Sequence, residues 1–177
     1  MFFTILLVLS MPLMYVSADT EVANEEIVEE IKEVVEPESK ETVIPEVKYV
    51  ASINDIMYET FDEAVTAAVD GDTIKLLDNA TTKGLNLSKN LTIDGSKEYT
   101  LTFEDKGIAL WGVSLTFKDV KITSDEIVVN ALNTDAKTII DNAQIVGDIK
   151  NNGTLTMKNN SSALNVSGNG NAFIDNS

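Results

Sequence analysis

The sequence predicts an all-β solenoid, a chain of short strands coiled and stacked on itself, and three observations carry that prediction. A five-residue pattern recurs five times, as LTIDG from Leu91 to Gly95, LTFKD from Leu115 to Asp119, TIIDN from Thr138 to Asn142, LTMKN from Leu155 to Asn159 and AFIDN from Ala172 to Asn176. The central residues of these copies, Ile93, Phe117, Ile140, Met157 and Ile174, lie 24, 23, 17 and 17 residues apart. Self-similarity at a period of about 20 residues is what stacked supersecondary units produce. Each copy also alternates inward and outward side chains and ends in a charged residue and a turn former, as a strand running into a corner does. A 17-residue coil traces roughly 55 Å, one turn of a narrow three-sided helix. A β-sandwich would also show short strands, but it gives no reason to repeat one pentapeptide in register.

The elements that precede the repeats are legible in turn. Phe2 to Val16 is an apolar run closed by Val16-Ser17-Ala18, so residues 1–18 read as a secretory signal cleaved after Ala18, although no Lys or Arg precedes the run. The run falls short of the about 20 apolar residues a membrane helix needs, and no stable membrane span is expected after cleavage. Residues 19–48 carry eleven acidic residues against Lys32, Lys40 and Lys48, with Pro37 and Pro45 in the second half. Such a stretch buries too little apolar surface to order itself and reads as a solvated, self-repelling spacer. The alternative is a helix that presents Ile27, Ile31, Val34 and Val35 to a partner.

The β domain is expected over residues 49–177. Tyr49 to Ile53, the turn Asn54-Asp55, and Ile56 to Tyr58 read as a hairpin. A short helix near 61–69 follows, with Thr60 and Glu63 as a capping box, Phe61, Ala64, Val65 and Ala68 on one face, and Gly71 as its left-handed stop. So short a helix is marginal alone and is expected to dock on the open end of the solenoid. Thr73 to Leu77 begins the β region. The inward pairs are Leu91/Ile93, Leu115/Phe117, Thr138/Ile140, Leu155/Met157 and Ala172/Ile174, and second strands are expected to carry Leu101/Phe103, Val120/Ile122, Ile145 and Leu164/Val166 inward. The outward column reads Thr92, Thr116, Ile139, Thr156 and Phe173.

Stacking the coils about 4.8 Å apart places Asp94, Lys118, Asp141, Lys158 and Asp175 in one column of strictly alternating sign, a structural ladder that favours this register over a slip of one coil. The next column, Gly95, Asp119, Asn142, Asn159 and Asn176, is made of residues that tolerate turns. Calcium would need several oxygens converging on one point, which the interleaved lysines oppose, so no metal and no other cofactor is expected.

The run Val50 to Ile53, Tyr58 to Phe61, Glu63 to Val65, Gly71 to Ile74, Leu76-Leu77 and Asn90 to Gly95 resembles the N-terminal part of the pectate-lyase-like modules of large secreted and cell-surface proteins of Gram-positive bacteria. The likeness covers roughly residues 49 to 103. It implies a right-handed parallel β-helix, a helix capping its N-terminal end, and an interior filled by apolar side chains. Such modules resemble polysaccharide lyases in fold, yet many belong to adhesins without chemistry of their own.

Composition narrows the function further. A net charge of −16 disfavours nucleic acid as a partner. The chain has no His, no Cys and no Arg, which removes the imidazole base, the thiol nucleophile and the bidentate anion clamp. Asp94 with Asp119, or Asp70 with Asp72, could supply a carboxylate pair, but ladder and turn roles account for them better, and no catalytic residue is assigned. Trp111, the only tryptophan, sits between two coils; it is a candidate contact for a glycan, or else a half-buried aromatic covering a corner. The expected function is a non-catalytic extracellular scaffold or adhesin module that meets a glycan or a surface protein. The alternative is the N-terminal part of a secreted polysaccharide lyase or glycoside hydrolase whose active site lies beyond Ser177. The last repeat has no polar cap, so its open face is expected either to continue into a longer chain or to pair with another.

Overall fold

The computed structural model describes residues 47–175; the expected secretory signal, and the spacer up to Glu46, lie outside them. Lys48 already belongs to the folded unit, where its ammonium pairs with Asp78 at 2.5 Å. Strands β1 (Ala51–Ile53) and β2 (Ile56–Tyr58) form an antiparallel hairpin, and Asn54 and Asp55 take the positive φ angles of its turn.

Helix α1 (Phe61–Ala67) starts at the capping box: Thr60 Oγ1 accepts the Glu63 N–H at 3.2 Å and Glu63 Oε2 accepts the Thr60 N–H at 3.1 Å. It buries Phe61, Ala64 and Ala68 in the same core as the coils, and Thr82 Oγ1 donates to Asp62 Oδ1 at 2.6 Å. The helix ends earlier than Gly71, because Ala68 has already turned to φ −58, ψ 144. Lys89 explains the early stop: its ammonium donates to the carbonyls of Val65 and Ala68 at 2.9 and 2.5 Å, giving the helix end the hydrogen bonds and positive charge that a left-handed glycine or a basic last turn would otherwise supply. Gly71, at φ 87, belongs to the turn before the next strand.

Five complete coils follow. The first comprises β3 (Thr73–Leu76), β4 (Ala80–Thr82) and β5 (Leu85–Leu87), and the second β6 (Leu91–Asp94), β7 (Thr100–Phe103) and β8 (Ile108–Leu110). The third has β9 (Ser114–Lys118) and β10 (Lys121–Ala131), the fourth β11 (Lys137–Asp141) and β12 (Gln144–Asn151), and the fifth β13 (Thr154–Lys158) and β14 (Ser162–Ser167), while β15 (Asn171–Asp175) opens a sixth. On side one, β3, β6, β9, β11, β13 and β15 stack in parallel, and β1 joins β3 antiparallel at the N-terminal edge. Side two stacks β4, β7 and the first part of β10, continued by β12 and β14. Side three begins with β5 and β8. From the third coil on, one strand turns the corner and carries two sides: β10 pairs β7 through Lys121 to Ser124 and β8 through Val129 to Ala131. The protein is a parallel β-solenoid.

The register on side one is Ile74, Ile93, Phe117, Ile140, Met157 and Ile174, each opposite the next. Thr73 to Leu76 is therefore a full coil strand in the same column, one repeat earlier than the five in the sequence pattern. On side two, Leu101, Ile122, Ile145 and Ala163 share a column, so the expected inward position of Leu164 is corrected by one residue. A register shift between Ile145 and Asp148 moves the pairing along, which leaves Leu164 67% exposed and sets Val166 opposite Ile149 on side three. Val120 is buried in the corner before β10. No helix among the described residues is long and apolar enough to cross a membrane.

Candidate functional site

Two features of the surface carry chemistry. The first is the charged column on side one, where the pairing places Lys75, Asp94, Lys118, Asp141, Lys158 and Asp175 on successive coils. Lys118 bonds Asp94 at 2.7 Å and Lys158 bonds Asp141 at 3.0 Å. Burial pushes the Asp94 carboxyl up, but the Lys118 hydrogen bond, the Ser96 N–H and the charges of Lys118 and Lys75 together outweigh it and hold the group below the usual carboxylate range. The Asn159 amide, followed by Lys158, lowers Asp141 in the same direction. Asp94 in turn raises Lys118. At the adjoining corner Asp119, Asn142 and Asn159 all take positive φ, and Asn142 Nδ2 donates to Asp119 Oδ1.

The sign of the linkage follows. Carboxylates whose folded pKa is lowered contribute stability above the unfolded value of about 4 and lose it as pH falls through the folded value. Lys118→Asp sets three carboxylates on consecutive rungs, replacing attraction by repulsion. It is expected to cost about 1–2 kcal/mol at neutral pH, less in high salt, and to reverse the local trend so that the deficit shrinks on acidification. Urea midpoints measured from pH 3 to pH 8 check both the size and the sign.

The second feature is a groove of about 500 Å³ across the first three coils, at the corner between sides two and three. Two glycines make the notch. An ideal Cβ on Gly84 would lie 2.5 Å from the Lys106 carbonyl oxygen, and one on Gly107 would lie 2.1 Å from the carbonyl oxygens of Ile127 and Val128, so the coils close up only where side chains are absent. Above them, the irregular stretch of β10 between Thr123 and Ile127 projects Glu126 as a ledge. Asn86, Ala109 and Asn130 form one register column of the wall, a small residue between two amides. Lys83 and Lys106 repeat at the rim on successive coils beside Asp105, and none of these charges, nor Glu126, joins an ion pair among the described residues.

Asn130 lines the groove, and its Oδ1 is buried without a hydrogen-bond partner, one of two such side-chain atoms among the described residues. A buried carbonyl oxygen of this kind is satisfied by a donor from water or from a ligand. Trp111 follows β8 directly, two residues or about 7 Å beyond Ala109, and is 63% exposed, so its indole stands out from the corner and does not cover it. Among the described residues no three His, Cys, Asp or Glu side chains are grouped to hold a metal ion.

The sequence reading reached Trp111 and the ladder, and it missed the groove. A signal was present: Lys83-Gly84 and Lys106-Gly107 repeat one dipeptide at matching points of two coils. Compared with family models, with curated proteins and with solved structures, the chain shows no match.

Proposed function

We propose that this chain is a non-catalytic, extracellular β-solenoid module of the pectate-lyase-like kind that binds a glycan across the groove between Asn130 and Trp111. The observation that carries the reading is the pairing of an unpartnered amide oxygen in a polar groove with an exposed indole on the neighbouring coil, two residues or about 7 Å beyond Ala109, the register partner of Asn130. Sugars present both hydroxyl donors and apolar faces, which such a pair can meet. The absence of His, Arg and Cys from the sequence favours binding over catalysis, and the apolar N-terminal run favours secretion.

Trp111 is the only tryptophan, so tryptophan emission, excited at wavelengths that the tyrosines do not absorb, reports on this site alone. Titration with soluble bacterial and plant oligosaccharides is expected to change the emission and to protect it from acrylamide. Trp111→Ala is expected to weaken binding measured by calorimetry by about 30-fold, on the order of 2 kcal/mol, without altering the far-ultraviolet circular dichroism. Emission indifferent to every glycan tested sinks the proposal. Release of new reducing or unsaturated ends would instead favour an enzyme.

A further inference from the structure

We infer that the groove takes a glycan bearing an acetamido group, an N-acetylated amino sugar, whose secondary amide spans the wall between Asn86 and Asn130. The inference rests on the glycan reading above and names the kind of sugar. It begins at the one rung where the wall changes chemistry. Asn86, Ala109 and Asn130 stand opposite one another on three successive coils, each pointing outward between neighbours that pack into the core. The column is thus a ladder of side-chain amides with its middle rung missing. At other corners the amides find partners across a single coil spacing: Asn142 donates to Asp119, Asn159 to Asp141 and Asn165 to Asp148. At Ala109 a methyl group stands where the donor would be, which accounts for the unpartnered Oδ1 of Asn130.

The dimensions of the gap select its occupant. Coils stack about 4.8 Å apart, so the two asparagines that flank the missing rung stand about 10 Å apart. Hydrogen-bonded amides repeat at that same spacing, as the backbone ladders of the sheet do, and one further amide therefore completes the column. A trans secondary amide is planar with its N–H and C=O pointing opposite ways. Its N–H donates to Asn130 Oδ1, and its carbonyl accepts from Asn86 Nδ2. A lone sugar hydroxyl, with two hydrogen bonds of about 2.8 Å, spans less than about 6 Å and cannot serve both walls. The terminal torsion of asparagine is soft, which lets the half-buried Asn130 turn its oxygen toward the groove.

The rest of the lining agrees. The acetyl methyl falls over Ala109, beside the apolar Leu85 and Ile127. Lys83 and Lys106 face Asp105 and Glu126, so the groove carries no net charge and suits a neutral sugar better than a polyanion.

Calorimetry and Trp111 emission test this with β-1,4-linked tetramers of N-acetylglucosamine and N-acetylgalactosamine, each against its counterpart with a hydroxyl in place of the acetamido group, and with a galacturonate tetramer as the polyanion. The acetylated member of at least one pair is expected to bind at least tenfold more tightly than its counterpart. Ala109→Asn supplies the missing rung from the protein itself. It is expected to raise the thermal midpoint, because Asn130 Oδ1 gains a donor, and to cut the preference below twofold. Asn130→Leu is expected to remove the same preference with unchanged circular dichroism. Pairs bound equally, a preference that survives Ala109→Asn, a midpoint lowered by that substitution, or tightest binding of galacturonate would each overturn the inference and leave the glycan reading standing. Failure of every tetramer to bind would remove both.

Discussion

Replacing Gly107 by alanine is expected to cost about 3 kcal/mol or more, for the sake of one methyl group. The added carbon would stand 2.1 Å from two backbone carbonyl oxygens, those of Ile127 and Val128, and neither is the movable end of a side chain. To admit it, the corner of the second coil must lift away from the third, which strains the β8–β10 pairing from Ile108 opposite Val129 onward. Gly71→Ala is the matched control. Gly71 sits at φ 87 with open space around its Cα, so alanine there meets only the intrinsic strain of left-handed backbone, about 1–2 kcal/mol. Urea unfolding of the two variants separates close approach from conformation, and equal losses would contradict the packing argument. Gly107→Ala is also expected to open the groove and expose the Asn130 wall.

Phe117→Ala is expected to be at least as severe, at about 3–5 kcal/mol. Phe117 is fully buried at the middle of the side-one column, between Ile93 and Ile140. The backbone ladders above and below hold the coils at fixed spacing, so the surroundings cannot collapse into the space left behind. In a stack where each coil rests on its neighbours, the loss should also spread unevenly. Hydrogen exchange is expected to show the fourth and fifth coils losing protection first, while α1 and the hairpin β1–β2 keep theirs. Uniform loss along the whole chain would show instead that the solenoid unfolds as one cooperative unit.

The side-one strands were legible because each coil writes the same inward pair, charge and turn former, and a two-residue alternation cannot slip without turning apolar side chains outward. Thr73-Ile74-Lys75 obeyed the same rule beside Thr92-Ile93-Asp94, but without a closing turn former it did not stand out as a repeat. Side three was less visible. Its strands Leu85–Leu87 and Ile108–Leu110 are three residues long, and in β10 and β12 they merge with side two, so no loop marks their start. Leu164 was misplaced because bulges add residues to one strand and not to its neighbour, a count that depends on the pairing partner. The groove arises from two glycines and a bulge on three coils far apart in sequence, so no local pattern could outline it. Trp111 was conspicuous through rarity alone; its exposure came from the corner that carries it.

The alternating column has a consequence for how such a chain can grow. Lys75, Asp94, Lys118, Asp141, Lys158 and Asp175 give every coil a parity, odd coils cationic and even coils anionic at the same rung. Duplicating or deleting one coil would set two like charges side by side at the junction, whereas gaining or losing two coils together keeps the sequence of signs intact. The heritable unit of this solenoid is thus a doublet, and a tandem expansion that preserves it must proceed in even steps.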